Sequence, residues 1–247
     1  MRAVGLVIAF WWVATGVIIA MQHSAATRFA GLFVATLLAV LGVLEIRAVR
    51  DDPSPTGVRR SFLGGAMLWA WVSAMFYGGF LTGFHPVGPV AAAPAWSAVV
   101  PAIAATFVND AATLVLLIVG VVAERDARHR TGLWTLLLFW AVQQVAKLNV
   151  FLGVANPAAN FLPPHLAYLR QFFGPPVNSP LLAVSLALVG AATVWAAWRA
   201  RPSHPAGRRE AAALYATILG LAVLELAVLG VKLESTPWDS FLRARGD

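Results

Sequence analysis

The 247-residue sequence contains no cysteine and few charged residues, and each shortage excludes a class of protein. Without cysteine the chain can form no disulfide, no iron–sulfur cluster, no thiolate zinc site and no covalent c-type haem attachment. Charged residues make up 12% of the chain and hydrophobic residues 60%, whereas soluble domains carry about a quarter charged residues. So few charges cannot cover a soluble fold of this length, which excludes soluble enzymes and indicates an integral membrane protein.

Familiar catalytic and nucleotide-binding motifs are also missing. The sequence has no His-Glu-x-x-His, no Walker-type Gly-Lys-Ser/Thr and no Gly-x-Ser-x-Gly. All five histidines fall in predicted loops or at helix ends, so no pair can hold a haem iron inside the bilayer. His23, His85 and His165 could meet on one side, although loop histidines are more often solvated than metal-bound. We therefore predict neither an enzyme nor a metal site.

Seven stretches have the length of about 20 mainly apolar residues that a membrane-spanning helix needs. They are approximately residues 3–21, 29–46, 61–83, 98–123, 133–151, 180–198 and 211–231. The sequence therefore predicts an all-α integral membrane protein in which residues 1–247 form a single domain of seven transmembrane helices.

Basic residues are shared unevenly between the two sides of this predicted bundle. Twelve arginines fall on the side of the amino terminus: Arg2, Arg47, Arg50, Arg59, Arg60, Arg125, Arg128, Arg130, Arg199, Arg201, Arg208 and Arg209. Five basic residues fall on the other side: Arg28, Arg170, Lys232, Arg243 and Arg245. Because basic loops stay in the cytoplasm, we predict a cytoplasmic amino terminus and a carboxyl terminus outside. The net charge of +7 then indicates topology and contact with lipid head groups, not nucleic-acid binding.

The connection between the fifth and sixth predicted helices, residues 152–179, is long enough to have a structure of its own. Pro163 and Pro164 suit a helix start. An α-helical period would then place four apolar side chains on one face: Leu166, Leu169, Phe172 and Phe173. We predict an interfacial helix, whose Phe172 and Phe173 contact either lipid or a partner protein.

Three ionisable residues lie well inside predicted spans: Asp110 in helix four, Lys147 in helix five and Glu225 in helix seven. Each costs at least about 2.5 to 3.5 kcal/mol at the centre of a membrane helix unless it has a partner, water or a function. Lys147 could pair with either Asp110 or Glu225. Such a pair is either structural or part of a ligand or proton site, and the sequence leaves both interpretations open.

Other polar residues accompany Lys147 on helix five. Gln144 and Lys147 share a helical stripe with Trp140 and Phe151, and Asn149 lies in the same stretch. A polar stripe bordered by aromatic residues suits a large flat ligand, and it equally suits a packed core.

This part of the chain resembles a known signature. The run from Gln144 to Val154, then Asn156 and the run Phe161-Leu162-Pro163-Pro164-His165-Leu166, is similar to the photosynthetic complex assembly proteins of purple-type phototrophic bacteria, the PuhE family. Weaker similarities are found at Trp71, Phe76, Phe80, Thr82, Gly83, Leu224 and Glu225.

The sequence also departs from that family. It has Val72-Ser73 where the family pattern carries Gln-Glu, and Asn109-Asp110 where the pattern carries His-Glu. These departures remove a carboxylate and a potential magnesium ligand, which indicates a divergent member.

The resemblance implies a seven-helix protein of the bacterial cytoplasmic membrane that helps to build the light-harvesting and reaction-centre complex. It implies contact with subunits of that complex, and bacteriochlorophyll or a nascent subunit held by the retained Gln144, Lys147, Asn149 and His165. One alternative is a carrier or enzyme for a hydrophobic tetrapyrrole or quinone-like substrate, in which Asp110, Lys147 and Glu225 relay protons. Another is a permanent structural subunit of the photosynthetic complex.

Overall fold

The structure is a computed structural model that describes residues 2–82, 95–232 and 242–243, and these residues form helices and connecting loops without a strand. Its long helices are α1 Arg2–Ala20, α2 Ala25–Val49, α3 Pro55–Tyr77, α4 Ala95–Ala123, α5 Thr131–Leu152, α6 Pro180–Arg199 and α7 Ala206–Leu229. By length and composition, all of these except α3 are able to cross a membrane. The chain is therefore an α-helical membrane protein.

Helix α3 is displaced toward the amino terminus relative to the predicted span 61–83. The Ser54 hydroxyl accepts a hydrogen bond from the Gly57 amide at 3.2 Å, and Pro55 occupies the first turn, so the helix begins before the apolar run. Its far end comes at Tyr77, because the chain then turns through Gly79, whose φ of +82° is left-handed. Apolarity alone thus misplaced both ends.

Successive helices alternate in direction, so their ends gather at two opposite ends of the bundle. The basic end contains the starts of α1, α3, α5 and α7, and there the Arg128 amide donates to the Arg50 carbonyl at 3.1 Å. At the opposite end, the Asn156 amide donates to the Leu229 carbonyl at 2.9 Å. All twelve arginines that the sequence assigns to the side of the amino terminus lie at the basic end.

Helix α3 occupies the middle of the bundle and packs against α1, α2, α4, α5 and α7. Its inward side chains, among them Phe62, Leu68 and Val72, are almost completely enclosed. Lipid tails are as apolar as these side chains, so the hydrophobic effect adds little between membrane helices and close packing holds them together. The central position of α3 therefore depends on how closely its neighbours approach.

Glycines provide that close approach at two helix crossings. Where α2 crosses α3, a methyl group on Gly64 would lie 2.6 Å from the Gly42 carbonyl oxygen. Where α3 meets α5, a methyl group on Gly65 would overlap the Gly132 carbonyl. Backbone contacts backbone at both places, so a larger residue would force the helices apart.

The connection between α5 and α6 contains a 3₁₀ helix, Pro164–Phe172, where the sequence predicts an α-helix on the membrane surface. With three residues per turn, Leu166, Leu169 and Phe172 share one face, and Phe173 lies just beyond the helix. All three are buried in one apolar cluster with residues of α3, α4 and α5: Phe76, Ala102, Ala105 and Phe151. The apolar face thus packs inside the chain, and the interfacial placement is not confirmed.

Candidate functional site

A polar cluster joins α4 to α5 about halfway along α4. The Lys147 ammonium nitrogen lies 2.6 Å from Asp110 Oδ2, and it also donates to the Thr106 hydroxyl at 3.1 Å. The Gln144 amide donates to Asp110 Oδ1 at 2.8 Å. We name these four residues the α4–α5 cluster. Of the two partners that the sequence offered for Lys147, the structure pairs it with Asp110.

Helical spacing explains why these four side chains meet. Thr106 and Asp110 are four residues apart on α4, and Gln144 and Lys147 are three apart on α5, so each pair shares one face of its helix. The antiparallel packing of α4 on α5 then brings the two faces together. The result is a carboxylate that receives hydrogen bonds on both of its oxygens.

The cluster is close to the surface of the bundle without being open to it. The side chains of Lys147 and Asp110 are 14% and 17% exposed. Ile103 and Phe107, on neighbouring positions of α4, are 42% and 53% exposed and form part of the outer surface. A ligand or partner helix packed against this face of α4 and α5 would therefore lie close to the ion pair.

Asn149 and Trp140, from the same stretch of α5, form no hydrogen bond to the α4–α5 cluster within the described residues. The Asn149 amide donates to the Ser185 hydroxyl of α6 at 2.8 Å and to the Val145 carbonyl, so this residue links α5 to α6 and lies outside the cluster. Trp140 is part of the predicted stripe, and its indole nitrogen is buried with no hydrogen-bond partner in the part of the chain that the structure describes. The polar residues of α5 thus contact two different helices: Gln144 and Lys147 bond to α4, and Asn149 bonds to α6.

Glu225 does not join the cluster. It lies on an exposed face of α7 beside Leu224, which is 55% exposed, four residues before the helix ends at Leu229. Among residues 2–82, 95–232 and 242–243, nothing forms an ion pair or hydrogen bond with its carboxyl group. Of the three residues named for a proton relay, the structure brings Asp110 and Lys147 together and leaves Glu225 outside the cluster.

His165 fastens the long connection to the end of α3. Its Nε2 donates to the Tyr77 carbonyl at 2.8 Å, and a methyl group on Gly79 would lie 2.8 Å from its ring. The left-handed glycine thus makes room for the imidazole. Of the other two histidines predicted on this side, His23 follows α1, and His85 lies outside the described residues.

Phe172 and Phe173 differ in exposure although they are adjacent. Phe172 is 1% exposed within the apolar cluster around Leu166, whereas Phe173 is half-buried at the end of the 3₁₀ helix. Removing the Phe172 ring would leave a cavity in the core. Of the two, only Phe173 is placed to contact a partner.

Glu124 is a buried polar residue that the sequence gave no reason to select. It is completely enclosed just after α4, and its carboxylate accepts hydrogen bonds from the Ser61 hydroxyl at 3.1 Å and from the amides of Gly132 and Leu133 at 3.0 Å. Arg130, at the cap position of α5, provides no side-chain bond, so Glu124 caps that helix instead. Burial raises the pKa of Glu124, and the three hydrogen bonds oppose this shift.

Two comparisons relate the chain to known proteins. A relative from Rhodobacter capsulatus, described as "Uncharacterized 30.4 kDa protein in puhA 5'region", is 26% identical over 220 residues, which cover 87% of this chain and 80% of that protein. No solved structure matches the chain. A family model described as "Protein of unknown function (DUF3623)" matches residues 1–245. The chain therefore belongs to this family.

Proposed function

We propose that this protein is a membrane factor of the PuhE type that helps to assemble the light-harvesting and reaction-centre complex of a phototrophic bacterium. Two observations favour this role. The relative from Rhodobacter capsulatus, a phototrophic bacterium, is named after its position in the puhA 5' region. The run from Gln144 to Leu166 also resembles the signature of photosynthetic assembly proteins. A shared gene neighbourhood supports a shared process, and we assign no catalytic turnover to the protein.

The proposed topology has seven spans, with α3 as the central one. Helix α3 has 23 residues, and surrounding helices shield it from lipid, so it does not need the apolar surface of its neighbours. The twelve arginines at the basic end favour a cytoplasmic position for that end. The amino terminus then lies in the cytoplasm and the carboxyl terminus in the periplasm.

The α4–α5 cluster carries the proposal for a binding site. An ion pair that is 14% to 17% exposed on the membrane flank of a bundle offers both a donor and an acceptor to a ligand packed against α4 and α5. The carbonyl groups of bacteriochlorophyll could accept hydrogen bonds from Lys147 or Gln144, and a polar side chain of a nascent subunit could bind Asp110. Such hydrogen bonds hold an otherwise apolar ligand in one orientation.

The test begins with a deletion strain. Removing the gene should lower the amount of assembled complex, measured by absorption spectroscopy of isolated membranes, while total pigment stays close to normal. An unchanged amount of complex in the deletion strain would contradict the assembly role. Loss of the pigment itself would favour a carrier or enzyme, and recovery at fixed stoichiometry in the mature complex would favour a permanent subunit.

Complementation with variants then tests the cluster. The double variant Lys147→Met/Asp110→Asn removes both charges together, so the protein should accumulate normally on immunoblots while complex assembly falls several-fold. Thr193→Ala is the matched control, because it removes a polar group that bonds only the Val189 carbonyl of its own helix. If both variants restore assembly equally, the cluster is structural and the binding site lies elsewhere.

A further inference from the structure

We propose that the basic end of the bundle binds the phosphate head group of an anionic membrane phospholipid. The site is a cavity of about 240 Å³ between α1, α3, α7 and the residue that follows α6, and we name it the basic cavity. Its wall includes Arg2, Pro55, Ala200, Ala206, Arg209 and Glu210. This inference is independent of the assembly role, because it concerns other helices and a different ligand.

The charges in the wall do not balance. The Glu210 carboxylate lies 3.1 Å from Nη1 of Arg59 and is therefore already neutralised. Neither Arg2 nor Arg209 forms a side-chain hydrogen bond or ion pair within the described ranges 2–82, 95–232 and 242–243. The basic cavity thus has two positive charges in excess, and an anion would neutralise them.

Helix electrostatics add to this excess. Arg2 is the first residue of α1, and Arg209 lies in the first turn of α7. Neither helix has an acidic residue in its first turn, although the positive end of a helix dipole favours one. Pro205 precedes α7 and provides no capping side chain, so amide groups of that turn remain available as donors. A bound anion would offset these unfavourable local charges.

The remaining surface favours a lipid over a soluble anion. Small apolar side chains, among them Ala3, Val4 and Ala213, complete the wall. On the last turns of α6, Trp195 and Trp198 are 58% and 50% exposed, and the Arg199 guanidinium lies 4.6 Å from the centre of the Trp195 ring. Exposed tryptophans are typical of the head-group level of a membrane. The basic cavity therefore lies at the level of the membrane at which the phosphate of a phospholipid joins its apolar tails. Arginine side chains bind such phosphates well.

The test measures the thermal unfolding of the full chain in a mild non-ionic detergent with added lipid. Phosphatidylglycerol at about 100 times its Kd should raise Tm by about 5 °C or more. Phosphatidylcholine, which has no net charge, should raise Tm by less than about 1 °C. An equal shift with both lipids, or no shift with phosphatidylglycerol, would overturn the proposal. Glycerol phosphate tests whether the bound phosphate must belong to a lipid. An equal rise in Tm with glycerol phosphate would show that the site binds a soluble phosphate compound and not a lipid.

Variants locate the site. Arg2→Gln/Arg209→Gln should lose at least half of the phosphatidylglycerol shift. Arg208→Gln is the matched control, because Arg208 lies in the same first turn of α7 outside the cavity wall, and it should keep the shift. Equal losses in both would show general charge attraction and refute the site.

A direct measurement covers the case in which the double variant is unstable. Native mass spectrometry should detect one phosphatidylglycerol retained per wild-type chain and per Arg208→Gln chain. Wild-type protein that retains none, or that exchanges it freely for phosphatidylcholine, contradicts the proposal.

Discussion

Two carboxylates in the described part of the chain, Glu124 at the basic end and Asp110 within α4, are held in different ways. Glu124 accepts hydrogen bonds from uncharged donors on α3 and α5 and has no exposed surface. Asp110 is bound to the Lys147 ammonium and keeps 17% of its side chain exposed. Backbone amides around a closed carboxylate hold helices together, whereas an ion pair at the flank remains within reach of a ligand. Partner type and access, more than charge alone, separate the carboxylate that joins helices from the one that we propose contacts a ligand.

The largest effect on stability is expected from Glu124→Ala, which tests whether the Glu124 carboxylate holds helices together. It leaves the Ser61 hydroxyl and the Leu133 amide without the carboxylate that accepts from them, while the Gly132 amide keeps its 2.8 Å bond to the Ser61 hydroxyl oxygen. Because each unsatisfied buried donor costs about 1 to 3 kcal/mol, the free energy of unfolding should fall by about 3 to 5 kcal/mol. Thermal unfolding in detergent measures this loss. Arg125→Ala, one residue away and 83% exposed, is the control and should unfold as wild type does.

A smaller loss in the free energy of unfolding is expected from Lys147→Met, which leaves the Asp110 carboxylate without its cationic partner. Breaking a fully buried pair typically costs about 3 to 5 kcal/mol, and the partial exposure of this pair reduces the expected loss to about 2 kcal/mol. Asp110→Asn added to Lys147→Met should recover most of it, because no unpaired charge remains. Protein accumulation and Tm report the outcome, and a double variant as unstable as the single one would contradict an ion pair between these residues.

The smallest effect concerns pH and separates the two carboxylates further. Burial raises the pKa of Glu124 above its ordinary value of 4.5, so the folded protein holds this proton more tightly than the unfolded chain. The contribution to stability is therefore largest below pH 4.5 and falls as pH rises from 4.5 through the raised pKa. As pH rises from 4.5 through the raised pKa, the Tm of the wild type should decline relative to that of Glu124→Gln. Parallel profiles would show that Glu124 does not titrate differently on folding.

Membrane physics explains why the helices were predictable and some of their ends were not. A span needs a long apolar run, and such runs stand out in α2 and α6. Helix α3 begins with Pro55 and includes Arg59 and Arg60 in its early turns, so a criterion of apolarity starts it too late. Capping by Ser54, which depends on backbone geometry, determines its actual start.

Contacts between helices were the least accessible from sequence. Spacing on α5 predicted that Gln144 and Lys147 face the same way, but only packing shows that they face Asp110 and not Glu225. In the sequence, Glu124 directly follows an apolar run and resembles an exposed loop residue. Its burial could not be predicted, because it depends on three helices meeting around it. The helix predicted in the segment 164–172 is present, but its period is that of a 3₁₀ helix and not the α-helical one that the sequence analysis assumed.

The first and last of the seven helices are neighbours, and this has a consequence for the order of assembly. Ala3 and Val7 of α1 pack in one cluster with Leu214 and Ile218 of α7. Chains are synthesised from the amino terminus, so α1 enters the membrane long before its neighbour exists. One side of the growing bundle therefore stays open until α7 docks. Residues of both helices form the wall of the basic cavity. The lipid site that we propose there is therefore complete only after α7 has packed against α1.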